Sequence, residues 1–251
     1  MKLPTGFRIG GVLRRTRLVF VRNFFGLAGI AGIAVVPGFI VPAQDGYAPV
    51  NLGLPAWAAT CMYAASILFG QSIMCFVAFQ RMCGRPISLS AGFKVGLRRS
   101  LPLVGTTLVI IVILGILQSR SDSYLGGLMA GIILLFICPT ALPVCAIEGL
   151  GLLRSFGRSW ELTNGHRWKM LALVLLAVLT GLGLVGTMRF LAREILSFAP
   201  SAIVGPVARI NALIWTALWT AFFAVLLAVS YHELHTAKGS GEADRIVEVF
   251  E

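Results

Sequence analysis

Long apolar runs, separated by short polar segments, follow one another along most of the chain. Several of them are about 17 to 25 residues long, the length that an α-helix needs to cross the hydrocarbon core of a membrane. The pattern predicts six spans, at approximately residues 24–43, 56–80, 101–117, 124–147, 170–188 and 210–231. The sequence therefore predicts an all-α, polytopic membrane protein.

An amphipathic segment precedes every second span. In residues 93–103, Phe93, Leu97 and Leu101 recur at helical spacing, while Arg98 and Arg99 lie on the other side of the same helix. Such a helix can lie in the membrane surface, with its apolar stripe below the headgroups and its cations near the lipid phosphates. A simpler role, in which these segments cap the spans and fix the topology, is equally compatible with the pattern.

The three amphipathic segments share a short motif. "FRIGGVLRRTR" from Phe7, "FKVGLRRSLP" from Phe93 and "LLRSFGRSWE" from Leu152 each place an Arg before a hydroxyl residue. The three pairs are Arg15-Thr16, Arg99-Ser100 and Arg158-Ser159. We therefore expect a threefold repeat, each copy consisting of a cytoplasmic interfacial helix and a transmembrane hairpin.

Composition and charge support this topology. Hydrophobic residues make up 57% of the 251 positions and charged residues 12%, about half the share of a soluble domain, and the net charge is +11. Lys and Arg alternate between rich and poor connecting segments, which predicts that both termini are cytoplasmic. The predicted organisation is a basic amphipathic segment at 1–23, a transmembrane domain at 24–231 and a cytoplasmic tail at 232–251. Three Arg after the fifth span partly oppose the bias.

The position of the cations also bears on partners. They flank the apolar runs instead of forming one soluble patch, so we expect no nucleic-acid partner. The expected partners are membrane lipids, with a protein partner or a second copy of the chain as a further possibility. The first apolar run is too long for a typical cleaved signal peptide, and the five scattered Cys include no CxxC pair.

Three motifs invite a chemical interpretation that their context does not support. "GLGLVG" at 181–186 matches a dinucleotide-binding pattern, but it lies in a run of helical length and has no acidic residue about 20 positions later. We interpret these glycines, and those of "GLAGIAG" at 26–32, as helix-packing faces. "YHELH" at 231–235 lacks the spacing of a zinc-binding helix. We predict no catalytic residue, metal or cofactor.

Glu148 follows the fourth span, and we expect it to pair with Arg154 or Arg158, either as architecture or in recognition of a lipid headgroup. Pro143, in the same region, is expected to kink that span. The candidate residues for contact with lipid headgroups or the interface are Arg15, Arg98, Arg99, Glu148, Arg154, Arg158, Trp160, Arg167 and Trp168.

The second half of the chain resembles the membrane domain of bacterial glycerophosphoryl diester phosphodiesterases and its stand-alone relatives. The resemblance lies in Pro143, Glu148-Gly149, "RSW" from Arg158, "LTNGHRW" and "YHELH". It implies a bacterial inner-membrane location. The catalytic His-Arg-Gly motif of that family is not matched, because Trp168 follows His166-Arg167 and no carboxylate cluster follows. We therefore expect no enzymatic activity.

Two functions fit these observations. The first is a non-catalytic integral membrane protein that interacts with lipids or partner proteins in membrane organisation or homeostasis. The alternative is a transporter or channel for an amphiphile or small solute. A hydrated cavity lined by Gln71, Asn211 and Glu148 would favour the alternative.

Overall fold

The computed structural model describes residues 9–40, 56–84, 140–148, 152–196 and 201–250. Almost all of these residues are helical, and none of them is in a strand. The helices are α1 (Ile9–Arg22), α2 (Phe24–Val35), α3 (Ala56–Met82), α4 (Ala141–Glu148), α5 (Leu152–Thr163), α6 (Arg167–Leu196) and α7 (Ser201–Phe250). A 3₁₀ helix, Val36–Ile40, continues α2. The all-α prediction is confirmed for the described part of the chain.

Three of these helices are long and apolar enough to cross a membrane, over Ala65–Met82, Arg167–Met188 and Val204–Thr236. They correspond to the predicted second, fifth and sixth spans. The predicted third span, and residues 124–139 of the fourth, lie outside the described residues. In the first predicted span, α2 and the 3₁₀ helix cover residues 24–40.

The first two helices meet at an angle of 85°. Asn23 lies at the corner, where its side-chain amide donates to the carbonyl of Val19 (2.8 Å) and its own carbonyl accepts from Leu27 N–H (3.0 Å). One residue therefore satisfies a free carbonyl at the end of α1 and begins α2, a use for which Asn is well suited. The amphipathic α1 consequently runs almost perpendicular to the apolar α2.

A second break separates the amphipathic α5 from the apolar α6. Asn164 and His166 donate their backbone N–H groups to Glu161 and Thr163, and between them Gly165 adopts φ +86°. Most residues avoid this left-handed conformation and Gly does not, so Gly165 allows the chain to turn within three residues. Both amphipathic helices therefore end at a short Asn-containing break before an apolar helix begins.

The helix α7 lies at the centre of the described part and packs against α1, α2, α3 and α6. Its residues Ala224 to Val229 are almost completely buried. The small side chains among them allow close contact, and Cys75 of α3 donates its thiol to the carbonyl of Ala224 (3.2 Å). This cysteine is a core residue, as its apolar context predicts.

The glycine prediction is confirmed at Gly181. A Cβ atom there would lie 2.2 Å from the Trp219 ring of α7, so the absence of a side chain allows α6 and α7 to meet. A Cβ at the other glycines of the two motifs, Gly183, Gly186, Gly26, Gly29 and Gly32, would meet no described atom within 4 Å. For these glycines, helix packing stays a prediction.

Arg209, one of the three basic residues that oppose the charge bias, has a structural use. Its guanidinium donates to the carbonyl of Gly38, and this contact joins α7 to the 3₁₀ helix that continues α2. Nearby, Trp215 Nε1 donates to Asn211 Oδ1 (3.0 Å). Carbonyl groups at a helix end need hydrogen-bond donors from outside the helix, and the Arg209 guanidinium is such a donor. Arg209 therefore contributes to the packing of α7 on the 3₁₀ helix, whatever its effect on topology.

Candidate functional site

Glu148, at the end of α4, has polar partners on two other helices. Its Oε1 accepts the hydroxyl hydrogen of Tyr231 of α7 at 2.6 Å, and its Oε2 lies 3.7 Å from Nε of Arg158 of α5. Arg158 also lies 3.4 Å from Glu161 on its own helix. The expected pairing of Glu148 is thus with Arg158, and Arg154 is exposed instead.

A second ion pair involves Glu233 of α7, two residues after Tyr231. Glu233 Oε1 is 2.6 Å from Nη1 of Arg15, which is 218 residues away in sequence. At the same interface, the Phe20 ring of α1 meets Phe222 edge to face, with centroids 5.8 Å apart. An ion pair and an aromatic contact therefore add to the apolar packing of α1 on the core that it shares with α7.

Together these contacts form two polar groups, Arg15 with Glu233 and Tyr231 with Glu148 and Arg158, which α7 joins and which we call the polar belt. The belt connects α1 to α7, α7 to α4, and α4 to α5. Next to the second group lies a small apolar cluster made by the side chains of Phe79, Val144, Ile147, Leu162 and Tyr231. The belt therefore links both described amphipathic helices to α7.

The hydroxyl residue is completely buried in both described copies of the Arg-Ser or Arg-Thr motif. Ser159 Oγ lies 2.8 Å from Thr140 Oγ1 and also accepts from the Thr140 backbone N–H at 3.3 Å. Thr16 Oγ1, in α1, has no hydrogen-bond partner among the described residues. The third motif, Arg99-Ser100, lies outside the described residues. The two described copies thus have the same placement and different hydrogen bonding.

A different set of cations faces outward. On α1, Arg14, Arg17 and Arg22 are exposed, and they alternate with the exposed apolar side chains of Leu18 and Val21. The opposite side of α1 is buried on α7. A helix with one buried side and one mixed basic and apolar side is typical of a membrane-surface helix.

The break between α5 and α6 presents a second exposed basic and aromatic group. The guanidinium carbon of Arg167 lies 3.3 Å from the centroid of the Trp160 ring, a cation–π contact. Trp168 is 75% exposed, and Lys169 is exposed beside it. Residues 165–169 line a surface pocket of about 380 Å³. We call Trp160, Arg167, Trp168 and Lys169 the turn cluster.

The structure divides the predicted interfacial residues into two groups. Arg15, Glu148 and Arg158 belong to the belt and contact other side chains of the same chain. Arg154, Trp160 and Trp168 are exposed, and Arg167 stacks on Trp160. Arg98 and Arg99 lie outside the described residues.

Sequence reasoning did not assign Tyr231 and Glu233 to this network. The signal was present, because the polar run "YHELH" follows the longest apolar run of the second half. The run contains the His and Glu of a zinc-binding helix without its spacing. No group of three or more potential metal ligands occurs among the described residues. Tyr231 and Glu233 instead hold two neighbouring helices.

The polar residues named for a transport cavity do not converge. Glu148 contacts Tyr231, whereas Asn211 lies 20 residues earlier in α7, a separation of about 30 Å along a continuous helix. Asn211 contacts Trp215 and, through its side-chain amide, the carbonyl of Met188 (3.4 Å). Glu148 and Asn211 therefore lie about 30 Å apart along α7 and cannot line one compact binding site.

Comparison with known proteins gives one match. Residues 125–234 are similar to a family described as a domain of unknown function (DUF7847). The matched stretch includes Glu148, Arg158, Tyr231 and Glu233 and leaves out Arg15. No curated protein and no solved structure matches the chain.

Proposed function

We propose that this chain is a non-catalytic, multi-pass protein of the bacterial inner membrane that binds anionic lipid headgroups and thereby contributes to membrane organisation. The observation that carries the proposal is a division among the cations of α1, α5 and the turn cluster. One set, in the belt, pairs with carboxylates, while the other, on α1 and in the turn cluster, lies beside apolar and aromatic side chains.

The set outside the belt has the chemistry of a headgroup-binding surface. Trp side chains favour the membrane interface, where the ring is apolar and the indole N–H remains wet. Lys and Arg near an anionic leaflet each contribute about 1 kcal/mol of attraction. Stacking on Trp160 holds the guanidinium of Arg167 beside the ring, so less side-chain freedom is lost when a phosphate binds it.

In this proposal both termini are cytoplasmic, and the polar belt lies near the cytoplasmic surface. The helices α1 and α5 then lie in the cytoplasmic surface of the membrane, where anionic lipids attract Lys and Arg side chains. The 85° angle between α1 and α2 supports this arrangement, because a helix perpendicular to a membrane span is parallel to the membrane plane.

The proposal is tested by identifying the phospholipids that co-purify with the full chain. We expect phosphatidylglycerol and other anionic lipids to be enriched over their share of the membrane from which the protein is extracted. A co-purified mixture with the same composition as that membrane would contradict the proposal. Solute flux through vesicles that contain the protein would instead favour the transporter, the alternative that is weakened by the separation of about 30 Å between Glu148 and Asn211.

A further inference from the structure

The polar belt joins the two amphipathic helices through a single membrane helix. Tyr231 and Glu233 are two residues apart on α7, and an α-helix turns about 100° per residue. Their side chains therefore leave α7 about 200° apart, on nearly opposite sides. Glu233 contacts Arg15 of α1, and Tyr231 contacts Glu148 of α4. At this level α7 lies between α1 and the α4–α5 pair.

We propose that this end of α7 acts as a lever, so that release of α1 from Glu233 weakens the hold on α5. The inference rests on the proposed function, in which α1 and the turn cluster meet anionic lipid. Lipid phosphates that bind the exposed cations outside the belt draw α1 toward the membrane surface and so away from Glu233. Because α7 is one uninterrupted helix from Ser201 to Phe250, a shift of its end at Glu233 also displaces Tyr231.

The contacts on the α5 side allow a second arrangement. Arg158 is shared between Glu148 at 3.7 Å and Glu161 at 3.4 Å, and both distances exceed the 2.7–2.9 Å range typical of a strong charged hydrogen bond. If Tyr231 moves and Glu148 follows it, Arg158 keeps a partner in Glu161. The belt can therefore open at Arg158 without leaving that guanidinium unpaired, which permits a second arrangement of α5.

Hydrogen–deuterium exchange of the full chain in phosphatidylcholine nanodiscs tests the lever. Glu233→Gln removes the charge that holds Arg15 and touches nothing on α5. We expect faster exchange in α1 and, in addition, a rise of about two- to fivefold in α5, the range expected when one partly exposed ion pair is lost. Arg15→Gln should reproduce both effects from the other side, which guards against a folding defect peculiar to one variant.

Two further variants distinguish an effect that passes from α1 to α5 from a general loss of stability. Arg17→Gln removes an exposed cation from α1 without touching the belt, and it should leave α5 unchanged. In a Tyr231→Phe background, Glu233→Gln should still loosen α1 and no longer alter α5, because the link to Glu148 is already absent. Faster exchange confined to α1 in both Glu233→Gln and Arg15→Gln would overturn the lever.

The same experiment with phosphatidylglycerol added to the nanodiscs distinguishes this inference from the proposed function. If anionic lipid binds at α1, we expect it to accelerate exchange in wild-type α5 and to have no such effect in Tyr231→Phe. An unchanged wild-type pattern in both α1 and α5 would count against lipid binding. A response in α1 alone would leave lipid binding standing and contradict the lever.

Discussion

The two described amphipathic helices, α1 and α5, begin from the same sequence pattern and are fastened differently. Each contains an Arg followed by a buried hydroxyl residue, each pairs that Arg with a Glu of another helix, and each ends at an Asn-containing break. Arg158, however, pairs with Glu148, ten residues earlier in sequence, whereas Arg15 pairs with a residue 218 positions away. The helix α5 is held by a local contact, and α1 brings the two ends of the chain together.

The buried hydroxyls differ in the same way. Ser159 has Thr140 as a partner, so its burial costs little, whereas the described residues offer Thr16 no partner. A buried polar group without a hydrogen bond is destabilising. The comparison shows that a repeated sequence motif fixes where a side chain points, and that its tertiary neighbours decide whether the placement stabilises the fold.

The largest expected effect lies on the α5 side, at Glu148. Glu148→Leu removes the acceptor of Tyr231 and one partner of Arg158, and we expect it to lower the free energy of unfolding by about 2–3 kcal/mol, as for a hydrogen bond to a charged group. Unfolding by SDS in mixed micelles measures this loss. Glu161→Ala, which removes the exposed partner of Arg158, serves as the control and should cost less than about 0.5 kcal/mol. Equal losses of stability in Glu148→Leu and Glu161→Ala would show that the belt contacts of Glu148 stabilise the fold no more than an exposed ion pair does.

The next effect concerns the buried hydroxyls of Ser159 and Thr16. Removal of the first should lower the stability of the protein, and removal of the second should not. Ser159→Ala leaves the buried Thr140 hydroxyl without its partner and should cost about 1–2 kcal/mol. Thr16→Val keeps the shape of the side chain, removes a hydroxyl without a described partner, and should leave stability unchanged or raise it. Thermal unfolding of both variants in one detergent tests the pair. A larger loss for Thr16→Val than for Ser159→Ala would contradict our account of both sites.

The smallest effect concerns the long-range ion pair of α1. The Arg15 side chain is 54% exposed, so Arg15→Gln should cost only about 0.2–1 kcal/mol at low salt. The cost should disappear near 1 M salt, where the screening length is about 3 Å. Arg17→Gln removes the same charge from the exposed side of α1 and should have no effect at either salt concentration. A salt-independent loss for Arg15→Gln would mean that its aliphatic packing, and not the ion pair, holds α1.

The apolar pattern is sufficient to predict much of the fold. Runs of helical length identify α3, α6 and α7, and the alternation of apolar and basic residues identifies α1 and α5 as amphipathic, because each of these features depends on local spacing alone. The Glu148–Arg158 pair was also predictable, since both residues are close in sequence and lie at the same edge of a span. The number of spans and the threefold repeat remain predictions.

The remaining contacts depend on which helices become neighbours. Nothing near Arg15 in sequence indicates Glu233 as its partner, and Tyr231 reaches Glu148 only because α7 packs beside α4. The glycines illustrate the same limit, since Gly181 packs against Trp219 while Gly29 faces no described atom. Spacing predicts a face of a helix, and only the three-dimensional arrangement determines what that face meets.

The central claim is that the cations of α1, α5 and the turn cluster have two separate tasks, and native mass spectrometry tests it most directly. The measurement compares phosphatidylglycerol retained by two double variants of equal charge, Arg17→Gln with Arg167→Gln, and Arg15→Gln with Arg158→Gln. We expect the first, which removes cations outside the belt, to lose most of the retained anionic lipid, and the second, which removes belt cations, to keep it. Equal loss in both variants, or loss only in the second, would contradict the account.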